Sequence, residues 1–224
     1  MKLDTFQFGK TTTRLPILGH RFGSTGPEVL ILGGVHGNEP EGVRASFGLI
    51  RHFSEIYSYK LRLTIVPQFN LDGVLALTRK NARGVDLNRN LPTKDWSRGG
   101  EYSGKDEKYY AGAEANSESE NQALVAWIAT TKPRLIMSLH SWQPMLNVNG
   151  NCLPEATVLS RLTGYRIDKD IGYPTPGCLG TYCGLERDIP TLTYEIERGL
   201  GSGPIDSVHV PAIAEALKVT EGRL

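Results

Sequence analysis

The sequence predicts an α/β fold: a single domain over residues 1–224 with a central mixed, mostly parallel twisted sheet and helices on both faces. A buried run at residues 28–35, an amphipathic stretch at 40–57 and a second apolar run at 61–69 form the strand–helix–strand unit of parallel sheets. These runs are rich in Val, Ile and Leu, which is typical of central strands covered on both faces. A chain of 224 residues can bury such a core without disulfides.

The first elements follow from composition and spacing. Residues 1–26 are rich in Thr, Gly and basic side chains and predict a hairpin at the edge of the sheet. In the helix that follows the first buried strand, four apolar residues recur at helical spacing and predict its buried face. They are Val43, Phe47, Ile50 and Phe53.

A long loop is predicted in the middle of the chain. The sequence Asn-Leu-Asp-Gly at residues 70–73 predicts a turn, and an irregular region follows over residues 73–113. Four aromatic side chains favour an ordered functional loop over a disordered one. They are Trp96, Tyr102, Tyr109 and Tyr110.

The second half predicts two further strands and three helices. Residues 117–120, Ser-Glu-Ser-Glu, predict a helix start with a serine cap and an acidic first turn, and Pro133 ends that helix. The strands are predicted over residues 134–139 and 191–196, and the other helices over 154–162 and 208–218.

Composition excludes several classes of partner. The net charge of +1 gives no electrostatic basis for binding nucleic acid or an anionic membrane, and no stretch of about 18 apolar residues predicts a membrane span. The three cysteines form no CxxC pair, which argues against a disulfide framework and for a reducing compartment. Residues 1–7 lack the apolar core of a secretory signal. We therefore expect a cytoplasmic protein; the sequence does not predict its oligomeric state.

Polar residues follow the predicted strands and predict a metal site. Ligands of such sheets bind beyond the carboxyl ends of the strands, where His36, Asn70, His140 and Glu195 lie. His36 and Glu39 are three residues apart, at a spacing that lets both reach one Zn²⁺ ion. His140 is the candidate third ligand, although a histidine after a strand is more often a core or surface residue. Two His and one Glu leave a position open for water, as in hydrolytic zinc sites.

The motifs around these residues resemble those of the zinc carboxypeptidases and, within them, the murein peptide amidases. The resemblance spans residues 29–198. Its motifs are His36-Gly37-Asn38-Glu39, Asn70-Leu71-Asp72-Gly73 with Arg79-Lys80, Gly84-Val85-Asp86-Leu87-Asn88-Arg89-Asn90, Ala115-Asn116-Ser117-Glu118, Ser138-Leu139-His140-Ser141 and Thr193-Tyr194-Glu195. It implies one zinc ion per chain, bound by His36, Glu39 and His140.

The resemblance also implies roles for other residues. Glu195 is expected to move the proton from water to the leaving amine, with Glu197 as its rival on the same face of the strand. Arg79 is expected to stabilise the oxyanion.

Asn88 and Arg89 are expected to bind the terminal carboxylate of the substrate, because a guanidinium fork suits a carboxylate. Tyr173 or Tyr182 is expected to supply a phenol that closes over the substrate. Cys178 replaces the Ser that is common in the amidases and is expected to be a packing residue.

Departures from the family pattern bear on the substrate. Asn38 replaces the Arg of digestive carboxypeptidases, which brings the chain closer to the amidases and to the aspartoacylase and succinylglutamate desuccinylase branch. We expect a zinc amidase that cleaves the γ-D-glutamyl-meso-diaminopimelate bond of a murein tripeptide or muropeptide. The alternatives are an N-acyl amino acid deacylase of the aspartoacylase type, a general metallocarboxypeptidase and a binding module without catalytic activity.

Overall fold

The computed structural model describes residues 3–98 and 109–223, which form one eight-stranded sheet with helices around it. The strands are β1 Asp4–Lys10, β2 Pro16–Phe22, β3 Glu28–Gly33, β4 Arg62–Val66, β5 Leu135–Trp142, β6 Met145–Asn149, β7 Arg166–Asp168 and β8 Thr191–Glu197. The α-helices of more than one turn are α1 Pro40–Glu55, α2 Leu71–Ala76, α3 Ser119–Thr131, α4 Leu153–Thr163 and α5 Val210–Arg223.

The sheet is mixed and mostly parallel, which confirms the predicted fold class. The strand order is β1-β2-β4-β3-β5-β8-β6-β7. The four central strands β4, β3, β5 and β8 run parallel, and β6 pairs in parallel with β7. β1 and β2 form an antiparallel hairpin at one edge, as predicted for residues 1–26.

Helices cover both faces of the sheet. Neighbouring residues of a strand point to opposite faces, so apolar side chains on both faces have to be covered. Val29 and Ile31 of β3 pack in a cluster that includes residues of α1, α4 and α5. Leu30 and Leu32 pack on the other face in a second cluster, to which α3 contributes. Both faces of β3 are therefore buried.

The buried face of α1 differs from the predicted one. Phe53 is buried as predicted, but Phe47 is exposed, and Val43 and Ile50 are only partly buried. The face towards the sheet is instead formed mainly by small residues, because the helix lies close to the strands. A Cβ atom at Gly42 would lie 2.3 Å from the main-chain oxygen of Leu139 in β5.

The region predicted as a turn and long loop contains helical structure. Asn70 caps α2 by accepting a hydrogen bond from the Gly73 amide, so the predicted turn begins a helix. A 3₁₀ turn over Leu87–Arg89 follows. Tyr102, one of the aromatic residues that favoured an ordered loop, lies outside the described residues.

Three further differences occur in the second half. The predicted serine cap of α3 is wrong: Glu118 is the N-cap residue, and the Ser117 hydroxyl instead interacts with Asn90 and with the Glu118 carboxylate. β6 and β7 were not predicted. The closing helix is preceded by a helical turn over Ser202–Pro204 and a π-helical stretch over Ile205–His209.

The polar residues of the predicted site lie at one end of this sheet. His36 follows β3, while His140 of β5 and Glu195 of β8 are paired neighbours on adjacent strands. None of the helices within residues 3–98 and 109–223 has the length and apolar character that a membrane crossing needs.

Candidate metal centre and active-site cavity

His36, Glu39 and His140 lie together at the carboxyl ends of β3 and β5. Their potential ligand atoms all lie within 4.8 Å of one another, and all three residues are buried. The loop that carries His36 depends on glycine at two positions. Gly34 has a φ of +65°, and a Cβ atom at Gly37 would lie 1.9 Å from the main chain of Gly73.

The three ligand groups point towards a common centre. The Nδ1 atom of His36 lies 3.0 Å from Glu39 Oε1, and the Nδ1 atom of His140 lies 2.9 Å from Glu39 Oε2. The two Nδ1 atoms are 3.1 Å apart. Ligands bound tetrahedrally at zinc's usual distances are separated by roughly 3.3–3.5 Å. The three residues therefore fit a zinc ion after small adjustments.

The second nitrogen of each imidazole has its own partner, which orients the ring. His36 Nε2 lies 3.0 Å from Asp86 Oδ1, and His140 Nε2 lies 2.9 Å from the Ser138 hydroxyl. A proton on Nε2 leaves Nδ1 free to bind a metal, which is the usual arrangement around metal-binding histidines. The sequence alone predicts no specific role for Asp86 or Ser138.

The carboxylates around the centre are held in the charged form. Burial works to raise the pKa of Glu39, but His36 and His140 outweigh it and hold the pKa well below its ordinary value. Burial likewise opposes ionisation of the fully buried Asp86, and Arg79 and His36 hold its pKa well below the ordinary range. Both groups are therefore anionic at neutral pH, as a cation site requires.

Glu195 is buried beside the ligands and differs from both of these carboxylates. Burial is the main cause that raises its pKa to about 7, and the charge of Glu39 adds to the effect. Its Oε2 atom is buried and has no hydrogen-bond partner among the described residues. A carboxylate with a pKa near neutrality suits proton transfer. Glu197, its predicted rival, is exposed and does not line the cavity.

Arg79 links Asp86 to Glu39. Its Nε donates a hydrogen bond of 2.8 Å to Asp86 Oδ2, and its guanidinium lies 3.4 Å from Glu39 Oε1. Burial works to lower its pKa, but the charges of Asp86 and Glu39 outweigh it and raise the pKa. Arg79 is thus a fixed cation next to the metal centre.

Asn70, predicted to be among the polar groups of the site, is fully buried and does not line the cavity. Its side-chain amide donates to the main-chain oxygens of Val35 and Arg79. It therefore holds together the loops that carry His36 and Arg79.

A cavity of about 760 Å³ opens over the metal centre, and eight of the nine predicted site residues line it. These are His36, Glu39, Arg79, Asn88, Arg89, His140, Tyr173 and Glu195. The Oδ1 atom of Asn88 accepts a hydrogen bond from the Leu179 amide, which fixes the side chain. Arg89 packs against the rings of Tyr109 and Tyr173.

Tyr182, the ninth, is not at the cavity, so the structure does not support its predicted contact with substrate. Its ring is buried in the apolar cluster on one face of the sheet, and Arg187 stacks on it at 3.6 Å. Tyr173 is therefore the candidate for the mobile phenol. Cys178 lines the cavity and packs against Thr175 and Thr181.

Comparison with known proteins gives the family of this chain. The family model for zinc carboxypeptidases matches residues 2–157. This chain belongs to the zinc carboxypeptidase family. Murein peptide amidase A of Vibrio campbellii is 32% identical to it over 176 residues, which cover 75% of this chain and 68% of that protein. The Escherichia coli K12 protein of the same name is 30% identical over 178 residues, covering 74% and 69%.

Solved structures show the same fold. The murein-tripeptide amidase of Escherichia coli O157 is 24% identical and gives a TM-score of 0.78, covering 96% of this chain and 91% of that one. Bovine thrombin-activatable fibrinolysis inhibitor gives 0.83 at 17% identity, covering 99% and 91%. With the family match, these findings identify a hydrolytic enzyme of the metallopeptidase type. They set aside the alternative of a binding module without catalytic activity.

In this zinc carboxypeptidase, Asp86 has a testable role. We expect Asp86→Asn to weaken zinc binding about 10- to 100-fold, because a neutral amide supports the His36 imidazole less well than a carboxylate. The measurement is a zinc titration against a competing chelator. Asp206→Asn is the control, because Asp206 is half-exposed and pairs with Arg51 outside the cavity. An unchanged zinc affinity in Asp86→Asn would contradict this role.

Proposed function

We propose that this protein is a zinc-dependent amidase that cleaves the bond between γ-D-glutamate and meso-diaminopimelate in murein peptides and releases the C-terminal diamino acid. One observation carries the proposal: the His36–Glu39–His140 cluster shares a single cavity with a buried carboxylate and several arginines. The curated relatives named murein peptide amidase support the choice of substrate.

The donor set fits one zinc ion, and His36, Glu39 and His140 are the residues that would hold it. Zinc, when bound there, would supply activation of a water molecule and polarisation of the scissile carbonyl. Glu195 is placed to take the proton from the attacking water and to pass it to the leaving amine. Its burial keeps bulk water away from this transfer.

Arg79 stabilises the negative charge that develops on the scissile carbonyl oxygen. Its guanidinium is held in place by Asp86 and lies beside Glu39, so it needs little reorganisation during the reaction. The same ion pair keeps Arg79 charged and limits its rotamers. Asp86 therefore serves both the metal ligand His36 and the cation Arg79.

Asn88 and Arg89 bind the terminal carboxylate of the substrate, and Tyr173 covers it. Arg89 is buried, and its guanidinium donates to the main-chain oxygen of Asn88 at 2.7 Å. The aromatic rings against it limit its movement. A buried and oriented guanidinium is well suited to a carboxylate ligand.

We also propose one catalytic domain over residues 1–224 and a cytoplasmic location. The residues of the site come from a single sheet and its loops, which supports one domain. The three free cysteines, two of them buried, support a reducing compartment.

Three kinds of substrate separate this proposal from its alternatives. They are L-Ala-γ-D-Glu-meso-diaminopimelate, N-acetyl-aspartate with succinylglutamate for the deacylase branch, and an ordinary peptide blocked at its N-terminus for general carboxypeptidases. We expect the highest kcat/KM for the tripeptide. A higher kcat/KM for an acyl amino acid or for the ordinary peptide would overturn the proposed substrate but would not contradict the assigned metal ligands.

A further inference from the structure

A third arginine, Arg198, lines the cavity beside the metal centre and has no role in the mechanism above. Its guanidinium donates to the main-chain oxygens of Asn38 at 2.9 Å and Ser141 at 3.0 Å. Asn38 directly precedes the ligand Glu39, and Ser141 directly follows the ligand His140. Arg198 is therefore anchored to the same two segments that present the metal ligands.

Arg198 is held in place and still open to a ligand. Its side chain is 46% exposed, in contrast to Arg79 at 16%. The two anchoring bonds use two of the five N–H groups of a guanidinium, so others remain for an anion. Within the described part of the chain, its one ion-pair contact is with Glu39 Oε1 at 3.6 Å, and that carboxylate belongs to the metal centre.

Arg198 and Arg89 are held by different parts of the wall. Arg89 packs on the rings of Tyr109 and Tyr173 and contacts the main chain of Asn88. Arg198 extends from the end of β8 to the segments of Asn38 and Ser141. The cavity wall therefore holds Arg89 and Arg198 by different contacts, in addition to the cations Arg79 and Lys169.

The proposed substrate carries carboxylates on both sides of the scissile bond. The γ-linkage leaves the α-carboxylate of D-glutamate free on the acyl side, two methylene groups and the α-carbon away from the scissile carbonyl. A peptide with ordinary α-linkage has no such charge at that place. On the leaving side, the α-carboxylate next to the scissile bond is assigned to Asn88 and Arg89, so the acyl-side carboxylate needs a cation of its own.

Resting on the proposed function, we propose that Arg198 binds the free α-carboxylate of the γ-linked D-glutamate and thereby selects γ-linked over α-linked substrates. A second observation supports this placement. The side-chain oxygen of Asn38 is buried, and nothing within residues 3–98 and 109–223 hydrogen-bonds to it. The α-carbon of D-glutamate carries both the carboxylate and an amide N–H, which is a donor for that oxygen.

The test compares two substrates that differ in this one group. They are L-Ala-γ-D-Glu-meso-diaminopimelate and its analogue in which the α-carboxylate of D-glutamate is a carboxamide. We expect Arg198→Met to lower kcat/KM for the carboxylate substrate about 10- to 100-fold and to leave kcat/KM for the carboxamide nearly unchanged. Arg198→Lys keeps a positive charge, so its kcat/KM for the carboxylate substrate is expected to lie between those of Arg198→Met and the unmodified enzyme. Arg51→Met, in which an exposed arginine outside the cavity is changed, is the control and leaves both values unchanged.

Binding of the product provides a readout that does not depend on catalysis. Calorimetry with L-Ala-D-Glu measures the acyl-side contact directly, and we expect Arg198→Met to raise its Kd by a similar factor. An equal loss of kcat/KM for both substrates, or an unchanged Kd for L-Ala-D-Glu, would show that Arg198 does not bind the carboxylate. If the unmodified enzyme cleaved neither tripeptide, the proposed function would fail and this inference with it.

Discussion

Replacement of Glu195 by Gln is expected to lower kcat by about two to four orders of magnitude while zinc stays bound. The amide keeps the size of the side chain but cannot accept the proton from water. This expectation rests on the buried Oε2 atom of Glu195, next to His140, which has no hydrogen-bond partner in residues 3–98 and 109–223. Steady-state kinetics with the murein tripeptide measures kcat, and metal analysis of the same sample measures zinc.

Glu197→Gln is the matched control for this experiment. Glu197 lies on the same strand two residues away, but its side chain is exposed. We expect it to keep a kcat close to that of the unmodified enzyme. A near-normal rate in Glu195→Gln would move the general base elsewhere, and Glu197 would be the next residue to test.

Loss of a single metal ligand is expected to remove zinc and activity together. His140→Ala leaves two ligands and a buried Glu39 carboxylate that has lost one of its two imidazole partners. Catalytic zinc sites use three protein ligands, so we expect the zinc content to fall far below one ion per chain and the tripeptide to remain uncleaved.

The control for this ligand variant is His20→Ala. His20 lies on the edge strand β2 and contacts Thr5, away from the cavity. It is expected to retain both zinc and activity. Thermal unfolding of both variants shows whether each protein is still folded at the assay temperature. A folded His140→Ala protein with full zinc content and full rate would contradict the assigned ligand set.

The sequence predicted the central strands and brought together the three candidate metal ligands because their signals are local. Apolar runs mark β3 and β5, and His36 and His140 follow from where those runs end. The pairing of His140 with Glu195 in adjacent strands is a consequence of the same parallel arrangement. The zinc carboxypeptidase motifs then distinguished this set from other polar residues.

Contacts between distant segments could not be predicted in this way. Asp86 reaches His36 across 50 positions of sequence, and Arg198 reaches Asn38 across 160. A search for the carboxylate that usually supports a metal-binding histidine would have drawn attention to Asp86, which lies between two apolar residues. No local pattern identified Arg198.

Other predictions failed because spacing does not fix which face of an element is buried. In α1 the small side chains face the sheet, so Phe47 is exposed despite its helical spacing. Tyr182 belongs to a π-helical stretch over Gly180–Leu185 that turns its ring towards the core. β7 has only three residues, too few for a recognisable alternation.

The most direct test of the proposed function is mass spectrometry of the products formed from L-Ala-γ-D-Glu-meso-diaminopimelate by the zinc-loaded protein. We expect free meso-diaminopimelate and L-Ala-D-Glu to form, and we expect neither product to form after a chelator has removed the metal. An intact tripeptide after incubation with protein that holds one zinc ion per chain would contradict the proposed substrate. Product formation that persists without metal would contradict the zinc mechanism itself.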